Sequence, residues 1–209
     1  MPRHVLHRDI ETRSTLDLTG VGAWRYASEP TTGVWCVGYT VDDAPARIWI
    51  PEQPIPEEFH VAAHDSGWLI VAHNDAFERA VEELILTPRY GWPIVPIQQH
   101  VCTMAMVLAS ALPGSLDGAA EVLNSPFRKD AEGQRLMRKM ARPRKPRAGE
   151  DPNGTLLARR TGKPGAVAEI LRTRYRGRAL AVSTCVTDHR FRTSALGTRR
   201  NNQPPRLSY

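Results

Sequence analysis

Regular hydrophobic patterning stops at about residue 141, and that break confines any core to the first two-thirds of the 209-residue chain. Before the break, apolar residues recur with the periods of strands and helices. After it they are sparse and keep neither period for long, and only Ala166 to Leu171 looks locally helical. Charge divides at the same place. Residues 142–209 hold 16 of the 28 Lys and Arg but only 4 of the 22 acids, a balance of +12. Residues 1–141 hold 12 basic against 18 acidic residues, a balance of −6, which together give the net +6. The basic, proline-broken run Ala141-Arg-Pro-Arg-Lys-Pro-Arg147 marks the boundary. An Arg-rich stretch of this kind is either a solvated tail or an arm for polyanions, held by phosphate contacts and counterion release. We therefore divide the chain into a folded domain, 1–147, and a basic tail, 148–209, that is poorly ordered by composition.

The order of elements in the first part fits a mixed α/β layered fold. Strands are expected over 4–11, 34–41 and 47–50, the last two joined as a hairpin across Asp42 to Pro45. Helix is expected over 54–66, with Glu57 and Glu58 in its first turn, where the helix dipole favours acids. A short buried strand, 69–72, precedes a helix over 76–86 with apolar residues at 77, 80, 81, 84 and 85. Helices follow over 103–112 and 115–124, broken by Pro113-Gly114, and another over 130–140. The polar connection 12–32, with Trp24 and Tyr26, is long enough to fold over a site. There is no run of eighteen apolar residues, and the N-terminus does not resemble a signal peptide. The three cysteines, Cys36, Cys102 and Cys185, have no zinc spacing and suit a reducing cytoplasm. No phosphate-cradling glycine loop and no nucleophile elbow occurs.

Two clusters carry chemistry. Asp9-Ile-Glu11 closes the first strand, where residues i and i+2 share a face, so both carboxylates project together. Acids held that close repel unless cations lie between them, and hard divalent ions such as Mg²⁺ meet that need. Sixty residues on, His73-Asn-Asp-Ala-Phe-Glu78 spans a strand-to-helix junction. Here Asp75 with Glu78 is also an acceptable capping box. The two readings coexist for Asp75 but compete for Glu78.

Asp9-Ile-Glu-Thr-Arg-Ser14 with His73-Asn-Asp-Ala-Phe-Glu78 resembles motifs I and II of the DEDD-type 3′–5′ exonucleases, most nearly the proofreading domain of phage-type family A DNA polymerases. Val21-Gly-Ala-Trp-Arg-Tyr26, Cys102-Thr-Met-Ala105, Leu112-Pro-Gly-Ser-Leu-Asp-Gly-Ala119 and Lys129-Asp-x-x-Gly133 extend the likeness over roughly residues 4–147. The resemblance implies an RNase H-like mixed sheet with flanking helices, incomplete at its C-terminal end. It implies two Mg²⁺ or Mn²⁺ ions, with Asp9, Glu11 and Glu78 as catalytic metal ligands and Thr12, Asn74 and Phe77 near the substrate. Glu78 stands where the wider superfamily more often has Asp. The implied substrate is the 3′ end of single-stranded DNA, with a polymerase domain or chain as partner, no membrane, and the cytoplasm of a bacterial or phage-infected cell as location. The family's third motif, a Tyr or His followed by Asp four or five residues on, is missing from the sequence beyond residue 147. That loss implies impaired proofreading hydrolysis, or alternatively a catalytically weak remnant that binds nucleic acid through its groove and basic tail. One account of the loss is a shifted reading frame after about residue 150.

Overall fold

Strand β1 (His4–Arg13) is the axis of the molecule, because its apolar residues alternate with polar ones for its whole length. The structure, a computed structural model, describes residues 4–124 and, beyond them, 135, 137, 138, 140–143 and 148. Five strands form one sheet in the order β3-β2-β1-β4-β5. β2 (Gly33–Val41) pairs antiparallel with β1 and with β3 (Arg47–Trp49); β4 (Trp68–Ala72) runs parallel to β1, and β5 (His100–Cys102) parallel to β4. This is a mixed α/β sheet with flanking helices, as expected.

The hairpin between β1 and β2 is secured by Asp42, which sits at φ 49. Its carboxylate accepts from the Val5 backbone N–H at 2.8 Å and contacts His4 Nδ1 at 2.9 Å. Such local side-chain bonds are why Asp tolerates the left-handed region.

Two helices make the parallel crossovers. α3 (Glu57–His64) links β3 to β4, and α4 (Asp75–Val81) links β4 to β5. Phe59 and Ala62 of α3, and Ala80 and Val81 of α4, share one core with Leu6 and Ile10 of β1. Within it Trp49, Phe59 and Trp92 meet ring to ring at 4.6 Å, tilted or edge-on as aromatic quadrupoles prefer. A second cluster, Trp35, Cys36, Ile50 and Met137, lies on the other face of the sheet. The assignment follows from register: Val37 pairs with Ile10, whereas Cys36 pairs with Glu11.

The helix expected over 76–86 is longer and changes type. α4 runs into a π-helical segment, Glu82–Leu86, and then into α5 (Thr87–Tyr90). Pro88 explains the change: it has no N–H to donate, and its ring would meet the carbonyl four residues back, which the wider turn relieves.

α3 is shorter than expected because Pro56 occupies its N-cap. Before β1 meets α3 in the core, the 12–32 connection forms two short helices, α1 (Leu18–Val21) and α2 (Ala23–Ala27). α6 (Thr103–Ala109) and α7 (Leu116–Val122) match the two helices expected either side of Pro113-Gly114. β5 is a strand the sequence pattern did not reveal. Of the helix expected over 130–140, residues 135, 137, 138 and 140 are described and helical. The remainder of that helix, the tail 148–209 apart from its first residue, and the expected C-terminal incompleteness lie outside the described residues.

Candidate active site

The sheet opens where the acids are. Pairing between β1 and β4 ends at His7↔Val71, while β1 stays paired with β2 to Arg13. From Arg8 onward β1 therefore has no partner in β4, and a gap forms beside it. Asp9 lies opposite Gly38 and Glu11 opposite Cys36, and the register shifts only after Glu11. The two carboxylates thus keep strict alternation and share a face, as the Asp-x-Glu spacing predicts. Both are half-buried.

Glu78 comes from α4, which packs on the opposite face, against Leu6 and Ile10. Its side chain is not turned to water: it is 3% exposed. Burial, then the nearby charge of Asp9, pushes its carboxyl well above the ordinary range; Arg8 opposes this, and Glu82 and Glu11 add to it. Asp9 is thus the nearby charge that weighs most on Glu78 after burial. The Glu78 Oε2 atom is buried with no hydrogen-bond partner. Leaving such an oxygen unsatisfied costs about 1–3 kcal/mol, more when it is charged. A buried carboxylate oxygen without a partner, under the charge of two further acids, is chemistry that a hard divalent cation would relieve. Among the described residues, no three His, Cys, Asp or Glu side chains stand in a ready ion-binding arrangement, and Asp9, Glu11 and Glu78 are not an exception.

Behind the trio lies a buried ionic network that motif reading missed. Arg8 Nε donates to Glu82 Oε1 at 2.5 Å, and Nη2 donates to Glu82 Oε2 at 2.9 Å and Asp75 Oδ1 at 3.1 Å. His100 Nδ1 approaches both Asp75 oxygens, at 3.1 and 3.2 Å. Burial works against the Arg8 charge, but Glu82, Asp75 and Glu78 more than offset it and hold the guanidinium above its ordinary value. For Asp75, burial would raise the carboxyl, yet His100 and Arg8 outweigh it and hold it below.

Two sequence signals could have found this network. Arg8 interrupts the otherwise apolar row Leu6, Ile10 on one face of β1. Asp75, Glu78 and Glu82 fall at i, i+3 and i+7, one stripe of a helix.

The capping-box reading of Asp75 and Glu78 is corrected. The N-cap of α4 is Asn74, and no side chain caps the helix. Asp75 instead turns inward to Arg8 and His100, whose charge and burial hold it more strongly than an exposed cap. Asn74 itself adopts φ 69, ψ 53, and its carbonyl accepts from the Phe77 N–H at 2.9 Å. Phe77 is half-buried, with its ring 6.1 Å from Tyr26. Thr12 is buried, and its hydroxyl meets Tyr26 OH at 3.0 Å. Tyr26 is raised above its ordinary value by burial, with Glu11 adding to the rise and the Thr12 bond opposing it. The 12–32 connection therefore packs onto Thr12 and Phe77, with Tyr26 inward and Trp24, 46% exposed, outward.

Two cavities lie elsewhere. One, of about 170 Å³, is lined by Arg79, Glu82, Val95 and His100, and the other, of about 470 Å³, by Tyr39, Arg47, Trp49 and Glu58. Neither includes Asp9, Glu11 or Glu78, and nothing about them points to a small-molecule ligand.

No protein-family model matches the chain. Over 140 residues, 66% of this chain, the sequence is 33% identical to a DNA polymerase of Bacillus phage SP02. The match covers 21% of that polymerase, so the chain spans about a fifth of the length of the curated relative it matches. Among solved structures, Brucella melitensis NrnC with bound Mg²⁺ is similar at 14% identity and a TM-score of 0.41, covering 95% of this chain and 88% of that one. NrnC bound to pGG is similar at 13% identity and the same TM-score, with the same coverage.

Proposed function

We propose that this chain is a 3′–5′ exonuclease-type domain of a phage-type DNA polymerase, acting on the 3′ end of single-stranded DNA with Mg²⁺ or Mn²⁺. The observation that carries the reading is the orphaned Glu78 oxygen, buried beside Asp9 and Glu11 at the open edge of β1. The 33% identity to a phage DNA polymerase over 140 residues supports the same reading. When bound, a divalent pair supplies an activated water and neutralises charge developing on the phosphate. Asp9 and Glu11 would hold the ions from one face of β1, and Glu78 from α4. Thr12, Asn74 and Phe77 are the residues assigned to the substrate side of the site. The missing third motif removes a metal ligand and the group that orients water. Positioned groups of this kind are each worth about 10²–10⁴ in rate, so turnover is slow.

The test is degradation of 5′-labelled single-stranded DNA with Mn²⁺, beside Asp9→Ala and Glu78→Gln. Weak, metal-dependent shortening from the 3′ end should fall by about 10²–10⁴-fold in either variant. Shortening that is untouched by Asp9→Ala would overturn the assignment. A second reading, a nucleic-acid-binding module without efficient chemistry, is favoured by the +12 balance of residues 142–209. It requires salt-sensitive DNA binding with no turnover that depends on metal.

A further inference from the structure

The geometry points to Arg8 as a positioning residue that clamps the two halves of the acid trio together and fixes Glu78 toward Asp9 and Glu11. This rests on the metal-site reading above and deepens it, since nothing in the two motifs gives Arg8 a role. Three observations carry it. First, the Arg8 side chain is fully buried, at 0% exposure, and its fork reaches two acids of one helical stripe, Asp75 and Glu82. Glu78 lies between those two anchors on the same face of the helix. A helix gripped one turn before and one turn after a residue cannot rotate that residue away.

Second, Arg8 is the immediate neighbour of Asp9 on β1. The clamp therefore spans the gap where β1 and β4 have parted, which backbone hydrogen bonds leave unbridged. Third, Asp75 is itself braced by His100 from β5, and His100 Nε2 lies 3.3 Å from the Val95 carbonyl. The bracing carries the clamp from β1 through α4 to the far edge of the sheet. The π-helical segment begins at Glu82, so the last anchor sits where the helix changes its winding. A widened turn there turns later side chains about the axis, and the Arg8–Glu82 fork sets the phase before that change.

Breaking a buried ion pair by removing one partner also destabilises the fold, so the test must separate position from stability. Mn²⁺ binding to the full chain is measured by calorimetry for the wild type, Asp9→Ala, Arg8→Gln and Arg8→Lys. Folded state is checked by circular dichroism at the same temperature. Loss of Mn²⁺ binding in Asp9→Ala secures the metal-site reading. If Asp9→Ala binds as the wild type does, that reading fails and this inference falls with it.

Given a secure site, folded Arg8→Gln should bind Mn²⁺ about 10–100-fold more weakly, the usual cost of losing an outer-shell partner. The sign is diagnostic. Deleting a nearby positive charge would by electrostatics alone tighten cation binding, so weaker binding needs a positional cause. Arg8→Lys keeps the charge and loses the fork, and it should recover only part of the affinity. It also serves as the deciding variant should Arg8→Gln not fold. Unchanged or tighter Mn²⁺ binding in a folded Arg8 variant overturns the inference and leaves the metal-site reading standing.

Discussion

At the scale of single residues, the interior near the site is governed by which charges can survive burial. Arg8 survives because two acids share it, although its Nη1 is left without a partner, as is one oxygen of Glu78. His7, one position before Arg8 on β1, takes the third course and gives up its charge. Burial lowers its pKa from 6.5 to about 4, against the opposing pull of Asp42 and Asp43. The consequence for stability has a definite sign. Between pH 6.5 and about 4 the unfolded chain takes up a proton on His7 that the folded chain refuses. Stability from this residue is therefore complete above about pH 6.5 and is lost as pH falls toward 4. A shift of this size corresponds to on the order of 3 kcal/mol. Urea midpoints measured between pH 4 and 7.5 should fall with acid in the wild type and fall much less in His7→Gln. Parallel curves for the two proteins would assign the acid loss to other groups.

At the scale of elements, the turn between α6 and α7 is fixed by contacts that can be tested one at a time. Ser115 caps α7, its side chain accepting from the Gly118 N–H at 3.2 Å. Ser115→Ala should cost about 1 kcal/mol, the usual worth of an N-cap. Gly118 is there for a different reason: a Cβ on it would come within 2.8 Å of Pro113 Cβ and 2.9 Å of Ser115 Oγ. Ala in a helix interior gains about 1 kcal/mol over Gly, but forced overpacking costs about 1–3 kcal/mol and here also dislodges the cap. Gly118→Ala is therefore expected to lower the thermal midpoint, where propensity alone predicts a rise. His73 ties this turn to the end of β4, its Nε2 lying 2.9 Å from the Gly114 carbonyl and its Nδ1 3.0 Å from Thr103 Oγ1. These elements also define what could be read from the chain. β1 and β2 were legible because their apolar rows are long, and Asp9 and Glu11 because alternation needs only local backbone. Asp75 was misread as a cap because its true partner, Arg8, lies 67 residues earlier. β5 escaped because three residues are too few to express a period, and its position is held by Gln99 Nε2 lying 2.9–3.0 Å from the carbonyls of Ala62, Asp65 and Trp68. Local pattern reveals strands and helices; it does not reveal which distant charge will claim a given acid.

At the scale of the whole molecule, the two parts of the chain carry opposite charge, and the acidic part holds the proposed site. A site built of acids repels a polyanion until cations neutralise it, so single-stranded DNA needs a positive surface elsewhere to approach. Residues 148–209 supply 12 of the Lys and Arg against 4 acids, a balance of +8. Binding through such a segment releases condensed counterions, and for single strands the logarithm of affinity falls with the logarithm of salt at a slope of about −0.7 per phosphate neutralised. We therefore expect the full chain to bind oligodeoxythymidylate with a steep salt slope in EDTA. Removing residues 148–209 should make that slope shallower by several units and weaken binding at low salt. Fluorescence anisotropy across about 50–300 mM salt reads both quantities, within the range where screening changes most. Urea unfolding of the 1–147 piece tests the proposed division, because a piece that folds alone should unfold cooperatively. Identical slopes with and without 148–209 would place the phosphate contacts in the domain and leave the basic segment without a role in DNA capture. A shallower slope that is restored by Mn²⁺ in the 1–147 piece, and not in its Asp9→Ala variant, would mean that the cations at the acid trio themselves admit the strand.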